Sequence, residues 1–87
     1  MKDPYSVIKH PVSTEKAVRL MESENKLTFI VDKKSSKGEI KDAIQKIFNV
    51  KVIEINTFVT SLGIKKAYIQ LSKDNPAMDI ATQLGII

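Results

Sequence analysis

Residues 36–72 read SKGEIKDAIQKIFNVKVIEINTFVTSLGIKKAYIQLS, and their changing period decides the fold. Ser36 and Glu39 stand three apart, the spacing at which a serine hydroxyl accepts from the Glu39 amide while the glutamate reaches back to the Ser36 amide. Behind this capping box Ile40, Ala43, Ile44, Ile47 and Phe48 recur at i, i+3, i+4, i+7 and i+8. That spacing predicts an amphipathic helix with Lys37, Lys41, Asp42, Gln45 and Lys46 on its wet face and Asn49 as its stop. The period then falls to two. Val50 to Thr60 is rich in β-branched residues and predicts a long strand, with Ile53, Ile55, Thr57 and Val59 on one face and Val52, Glu54, Asn56 and Phe58 on the other. Ser61 to Lys65 contains Gly63 and is short enough for a hairpin. The return arm, Lys66 to Ser72, places Ala67, Ile69 and Leu71 inward and Tyr68 and Gln70 outward.

Working outward, Lys26 to Asp32 alternates as a strand, with Leu27, Phe29 and Val31 on one face and Thr28, Ile30 and Asp32 on the other. Ile30 implies that both faces are partly covered. Before it, Ser13 or Thr14 can cap a helix whose narrow apolar face is Ala17, Val18, Leu20 and Met21, with Glu15 in its first turn and Asn25 as its stop. Tyr5 to Lys9 alternates weakly and runs into Pro11, predicting a short edge strand. At the other end Asn75 reads as an N-cap and Pro76 as the first position of a helix carrying Ala77, Ile80, Ala81 and Leu84, which stops at Gly85. The order is β-α-β-α-β-β-α, with one hairpin and no Gly-rich turn after a strand. We therefore expect one α+β domain over residues 1–87, a four-stranded antiparallel sheet with packed helices.

The 87 residues are 43% hydrophobic, enough to bury a core. A domain this small still hides only roughly 60–65% of its unfolded surface. Its net charge of +4 is unevenly placed: residues 1–32 sum to 0, residues 33–73 to +6 and residues 74–87 to −2. A lysine-rich middle of this kind suits a polyanion, and the plain alternative is a solvated lysine face. There is no cysteine, so disulfides, thiolate metal sites and cysteine nucleophiles are excluded. No apolar run approaches a membrane span, and residues 1–10 lack the hydrophobic core of a signal peptide, so a soluble intracellular protein without membrane insertion is expected.

Catalysis has no support in the sequence. The single histidine, His10, stands beside Pro11 without companion ligands, and no phosphate loop, dinucleotide fingerprint or nucleophile elbow is present. No metal, cofactor or enzymatic activity is expected.

Five segments in order, Val7-Ile8-Lys9-His10-Pro11, Thr14-Glu15-Lys16-Ala17, Lys37-Gly38-Glu39-Ile40-Lys41, Val50-Lys51-Val52 with Asn56-Thr57, and Lys65-Lys66-Ala67-Tyr68, resemble the universal large-subunit ribosomal protein L twenty-three family. The resemblance runs from about Ser6 to the C-terminus. It implies a structural constituent of the large ribosomal subunit, cytoplasmic and ribosome-bound. Such a protein binds large-subunit (23S-type) rRNA at the rim of the polypeptide exit tunnel, beside ribosomal protein L twenty-nine. It also implies docking of nascent-chain factors such as signal recognition particle, near the translocon, with the turn Thr14, Glu15 and Lys16 as the matching segment. Glu15 can equally serve only to complement the helix dipole, worth about 0.3–1 kcal/mol. Bacterial members carry a long basic, Gly-rich extension where this chain has only Ser61 to Lys65, so the chain is closer to the archaeal type.

RNA of this kind is held through phosphates, 2′-hydroxyls and shape. Lys33, Lys34 and Lys37, with the helix N-terminus at Ser36, form one expected phosphate site, and Lys41 continues it one turn along. The resemblance places Asn56 and Thr57 against RNA; a tertiary hydrogen bond from Asn56 is the alternative. Lys9, His10, Lys65 and Lys66 complete the surface if the first strand and the hairpin end lie on one side. Tyr68 can stack on a base or be a partly buried sheet aromatic. An RRM is disfavoured by the element order and by the absence of paired aromatics on its central strands. The rival of another class is a ferredoxin-like small-molecule-binding or adaptor domain.

Overall fold

The computed structural model describes residues 3–85; residues 1–2 and 86–87, the two ends of the expected domain, lie outside the described residues. The chain opens with a single helical turn, α1 (Pro4–Val7), followed by β1 (Ile8–Pro11), α2 (Glu15–Glu24), β2 (Lys26–Val31), α3 (Lys37–Phe48), β3 (Val52–Val59), β4 (Lys65–Leu71) and α4 (Ala77–Leu84). The strands form one antiparallel sheet in the order β1-β2-β4-β3. The expected α+β class and sheet are present.

Three local expectations change. The first strand is shorter than read, because Asp3 accepts a hydrogen bond from the Tyr5 amide at 3.0 Å and Pro4 occupies the first helical turn, winding residues 4–7 into α1. In β3 the register shifts between Val52 and Glu54. This bulge buries Val52 together with Ile55 and turns Ile53 outward at 58% exposure, where unbroken alternation would bury Ile53. Finally, α4 is capped by Pro76, with no side-chain cap from its own segment. Asn75 instead accepts from the Lys51 amide at 2.9 Å.

The cap comes from across the fold. Asn25 ends α2 in the left-handed conformation, φ 55°. Its Oδ1 accepts from the Ala77 amide at 2.6 Å, while its Nδ2 donates to the carbonyls of Leu71, Ser72 and Asn75 at 3.1–3.2 Å. One carboxamide thus joins the end of α2, the end of β4 and the start of α4, and it gives the first amide of α4 a partner.

On the inner face, Leu27, Phe29, Val31, Ala67, Ile69, Leu71 and Ile55 meet Ile40, Ala43 and Ile44 of α3 and Ala77, Ile80 and Ala81 of α4. Phe29 and Phe48 lie with ring centroids 6.0 Å apart. The outer face is barer. Only Thr28 on β2 is buried there, alongside Ala17 of α2. That partial cover is the second-face shielding that Ile30 implied.

Asn25→Ala removes the clasp and keeps a side chain that disfavours positive φ, so it should cost about 2–4 kcal/mol in urea unfolding. Asn25→Gly should recover about 1 kcal/mol of that loss by relieving the backbone alone. Equal losses in the two variants would show that the conformation contributes nothing.

Candidate nucleic-acid interface

The lysines selected by sequence fall into two regions of the fold. The first is the corner where β2 turns into α3. Ser36 Oγ accepts from the Glu39 amide at 3.2 Å and Glu39 Oε1 accepts from the Ser36 amide at 2.9 Å, so the capping box is closed. The Ser36 amide and hydroxyl are therefore engaged within the cap, and a carboxylate already stands at this helix N-terminus. Beside the Lys37 and Gly38 amides, which the box leaves out, the corner offers an anion ammonium groups. Lys33, Lys34, Lys37 and Lys41 are exposed, and Lys37 and Lys41 border a groove of ≈ 170 Å³ against residues 52–55 of β3.

The hairpin end joins this corner. A Cβ placed on Gly63 would sit 3.8 Å from Lys33 Nζ. Gly63 itself has φ 78°, the left-handed value that its turn requires. Lys65 Nζ donates to the Ser35 carbonyl, which ties its charge to the start of α3. Ser35 Oγ is buried without a hydrogen-bond partner.

The second region is the outer face of the sheet. Registers across the strands set His10 beside Ile30, Ile30 beside Lys66 and Lys66 beside Phe58, one row crossing all four strands. The next row holds Thr28, Tyr68 and Asn56. Phe58 and Tyr68 stack, with centroids 5.5 Å apart and planes at 23°. Asn56 shares this face, whereas Thr57 is paired with Ala67 on the opposite face. The two therefore do not form a single contact point. Lys9 is exposed at the irregularity between Ile8 and His10, and His10 Nδ1 lies 3.4 Å from the Pro11 carbonyl.

No sequence motif marks Phe58 as a site residue. Its membership in the same alternation phase as Asn56 makes it outward, but only the hairpin register brings it to Tyr68. The pair joins an edge strand to a central one and not two central strands, so it leaves the case against an RRM as the sequence puts it.

The N-terminal turn of α2 overhangs this face. Thr14 Oγ1 accepts from the Ala17 amide at 3.3 Å as the cap. Thr14 and Lys16 line a groove of ≈ 160 Å³ with Thr28, Phe58, Lys66 and Tyr68. Glu15 accepts from Arg19 at 2.7 Å, with side chains 80% and 77% exposed, a helix-surface pair worth about 0.3 kcal/mol. Glu15 is accordingly available to a partner at small cost. Among the described residues no helix is long and apolar enough to cross a membrane, and no group of His, Asp and Glu is placed to hold a metal ion.

The family model of ribosomal protein L23 matches residues 6–63, a span that includes β1, β2, β3 and the closed capping box of α3. The chain belongs to this family. It is similar to large ribosomal subunit protein uL23 of Trypanosoma brucei brucei, 44% identical over 85 residues that cover 98% of this chain and 52% of that protein. It is also similar to large ribosomal subunit protein uL23A of Caenorhabditis elegans, 42% identical over 85 residues that cover 98% of this chain and 58% of that protein. The chain thus spans little more than half the length of these curated relatives.

Under the groove, Thr28 Oγ1 is buried without a hydrogen-bond partner. Thr28→Val should keep the isolated chain folded and leave its urea stability unchanged or raised by up to about 1 kcal/mol, because an orphaned hydroxyl is removed at similar shape. A loss above about 1 kcal/mol would show that the hydroxyl is satisfied in the free protein.

Proposed function

We propose that the chain is a structural constituent of the large ribosomal subunit that binds large-subunit rRNA. The observation carrying this reading is its likeness, over 98% of its own residues, to proteins named as large-subunit components, joined to a fold whose lysines gather on two surfaces. In the finer reading the site is the rim of the polypeptide exit tunnel, beside ribosomal protein L twenty-nine. The α3 corner, through Lys33, Lys34, Lys37 and Lys41, holds phosphates as point charges, with Lys65 and Ser36 fixing the loop that presents them. Lys9, His10, Lys66 and Asn56 add the outer face, and Thr57 lies on the rim of the inner one.

The turn Thr14, Glu15 and Lys16 is the proposed docking point for nascent-chain factors such as signal recognition particle, near the translocon. The high exposure of Glu15 and its loose tie to Arg19 favour a contact that forms after assembly. Glu22 and Glu24 border a groove with Gln70, Leu71 and Lys73, and Asp79 borders one with Phe48 and Asn49 at the far end of α3, which leaves these parts of the surface for protein or solvent.

Reversing Lys34 and Lys37 together to Glu should weaken binding to the cognate rRNA fragment and flatten its log–log salt dependence by roughly 0.7–0.9 for each phosphate no longer neutralised. Filter binding at several salt concentrations reads both, and an unchanged slope with unchanged affinity contradicts the assignment. Glu15→Ala should leave incorporation into large subunits intact and weaken capture of signal recognition particle by those subunits. Equal losses in the two assays would sink the separation of roles.

A further inference from the structure

Phe58 is a large apolar side chain, 42% exposed, on the water-facing phase of β3, although its neighbour Ile55 supplies the core from the opposite phase. Isolated exposed apolar residues need no explanation. Phe58 is not isolated: its ring is stacked with Tyr68 at 5.5 Å, and the two share a groove with Lys16 and Lys66. At its floor the Thr28 hydroxyl is shut away from protein partners. No carboxylate lines this groove among the described residues, whereas two lysines do.

We infer that the Phe58–Tyr68 pair is a stacking platform for one unpaired RNA nucleobase, with Lys16 and Lys66 taking the adjoining phosphates and Asn56 within the same surface to meet a base edge. This deepens the rRNA-binding reading and rests on it. Charge selects the occupant. An apolar peptide would gain the two rings but meet flanking ammonium groups, while a nucleotide matches both the π-faces and the cations. The base must be unpaired, since A-form duplex hides its faces in the stack and presents a narrow major groove. The rings are already packed on each other and held by adjacent strands, so little ordering entropy remains to be lost on binding.

The test compares two ten-nucleotide single-stranded RNAs of equal charge, one of adenines and one whose central positions are abasic, by fluorescence anisotropy with the 87-residue chain. The adenine strand should bind about 5- to 150-fold tighter, the range expected from one stacked base. Phe58→Leu keeps an apolar side chain and removes the π-face; it should erase that difference while leaving abasic-strand affinity and salt slope unchanged. Phe58→Trp should restore it, and circular dichroism confirms that each variant is folded. Equal binding of both strands by the unaltered chain overturns the proposal, as does an equal loss on both strands in Phe58→Leu. If the chain still binds its rRNA fragment in either case, stacking alone has failed. If it binds neither strand nor the fragment, and does not enter large subunits, the rRNA reading falls with it. Loss of a protein neighbour from Phe58→Leu subunits, with RNA binding untouched, would mark the face as protein-facing and also overturn the inference.

Discussion

The clasp made by Asn25 is the constraint on which the arrangement of helices around the sheet depends. It spans 46 to 52 positions of sequence in four hydrogen bonds. The position needs a residue that tolerates the left-handed region and carries both a donor and an acceptor. Glycine would supply the backbone conformation without the bonds, and ionised aspartate would supply only the acceptor. Because the bonds fall on the last carbonyl of β4, on the Ser72 and Asn75 carbonyls of the loop after it and on the first amide of α4, the same side chain ties the end of a central strand to the start of the last helix. The neighbouring Asn75 repeats the device, joining its loop to the start of β3 through the Lys51 amide.

With the helices so fixed, the two cationic surfaces acquire different characters. At the α3 corner the charges are exposed ammonium groups around a helix end whose capping box engages the Ser36 and Glu39 amides and leaves out those of Lys37 and Gly38, so an anion meets charge with few directional groups. On the outer sheet face the lysines flank rings, and the strands hold every group in register. The first surface is suited to following a phosphate backbone and the second to holding one nucleotide. Along the outer face the character also changes, from His10, Lys66 and Phe58 in one row to Lys26, Gln70 and Glu54 in another. On the proposed reading, an RNA strand is favoured at one end only.

What can be read from sequence is what is decided locally. The α3 helix, its capping box and its Asn49 stop lie within one segment, and the inward phase of β2 and β4 follows from simple alternation. The bulge at Ile53 is not legible, because a bulge is a relation between two strands and β3 alone shows only β-branched residues. The α4 cap is misplaced for a similar reason: Asn75–Pro76 is a sound local signal, but the carboxamide that meets the Ala77 amide arrives from Asn25. The Asp3–Pro4 pair is a local signal, masked by the weak alternation of residues 5–9. For the candidate site, the residue types are legible and their grouping is not. Asn56 and Thr57 are adjacent in sequence and opposed in space, while Phe58 and Tyr68 are distant in sequence and in contact.

The two irregular pairings described above, at residues 8–10 and 52–54, fall on β1 and β3, the two outermost strands of the sheet. A sheet edge is a template on which another copy of the same strand can add, and a straight, regular edge is the form most open to that addition. Here one edge is four residues long, carries an exposed lysine at its kink and ends in a proline without an amide hydrogen. The other is bent where Ile53 leaves the ladder. Each bulge breaks the straight run that a second chain would extend, so both edges of the sheet are blunted against fibrous self-association.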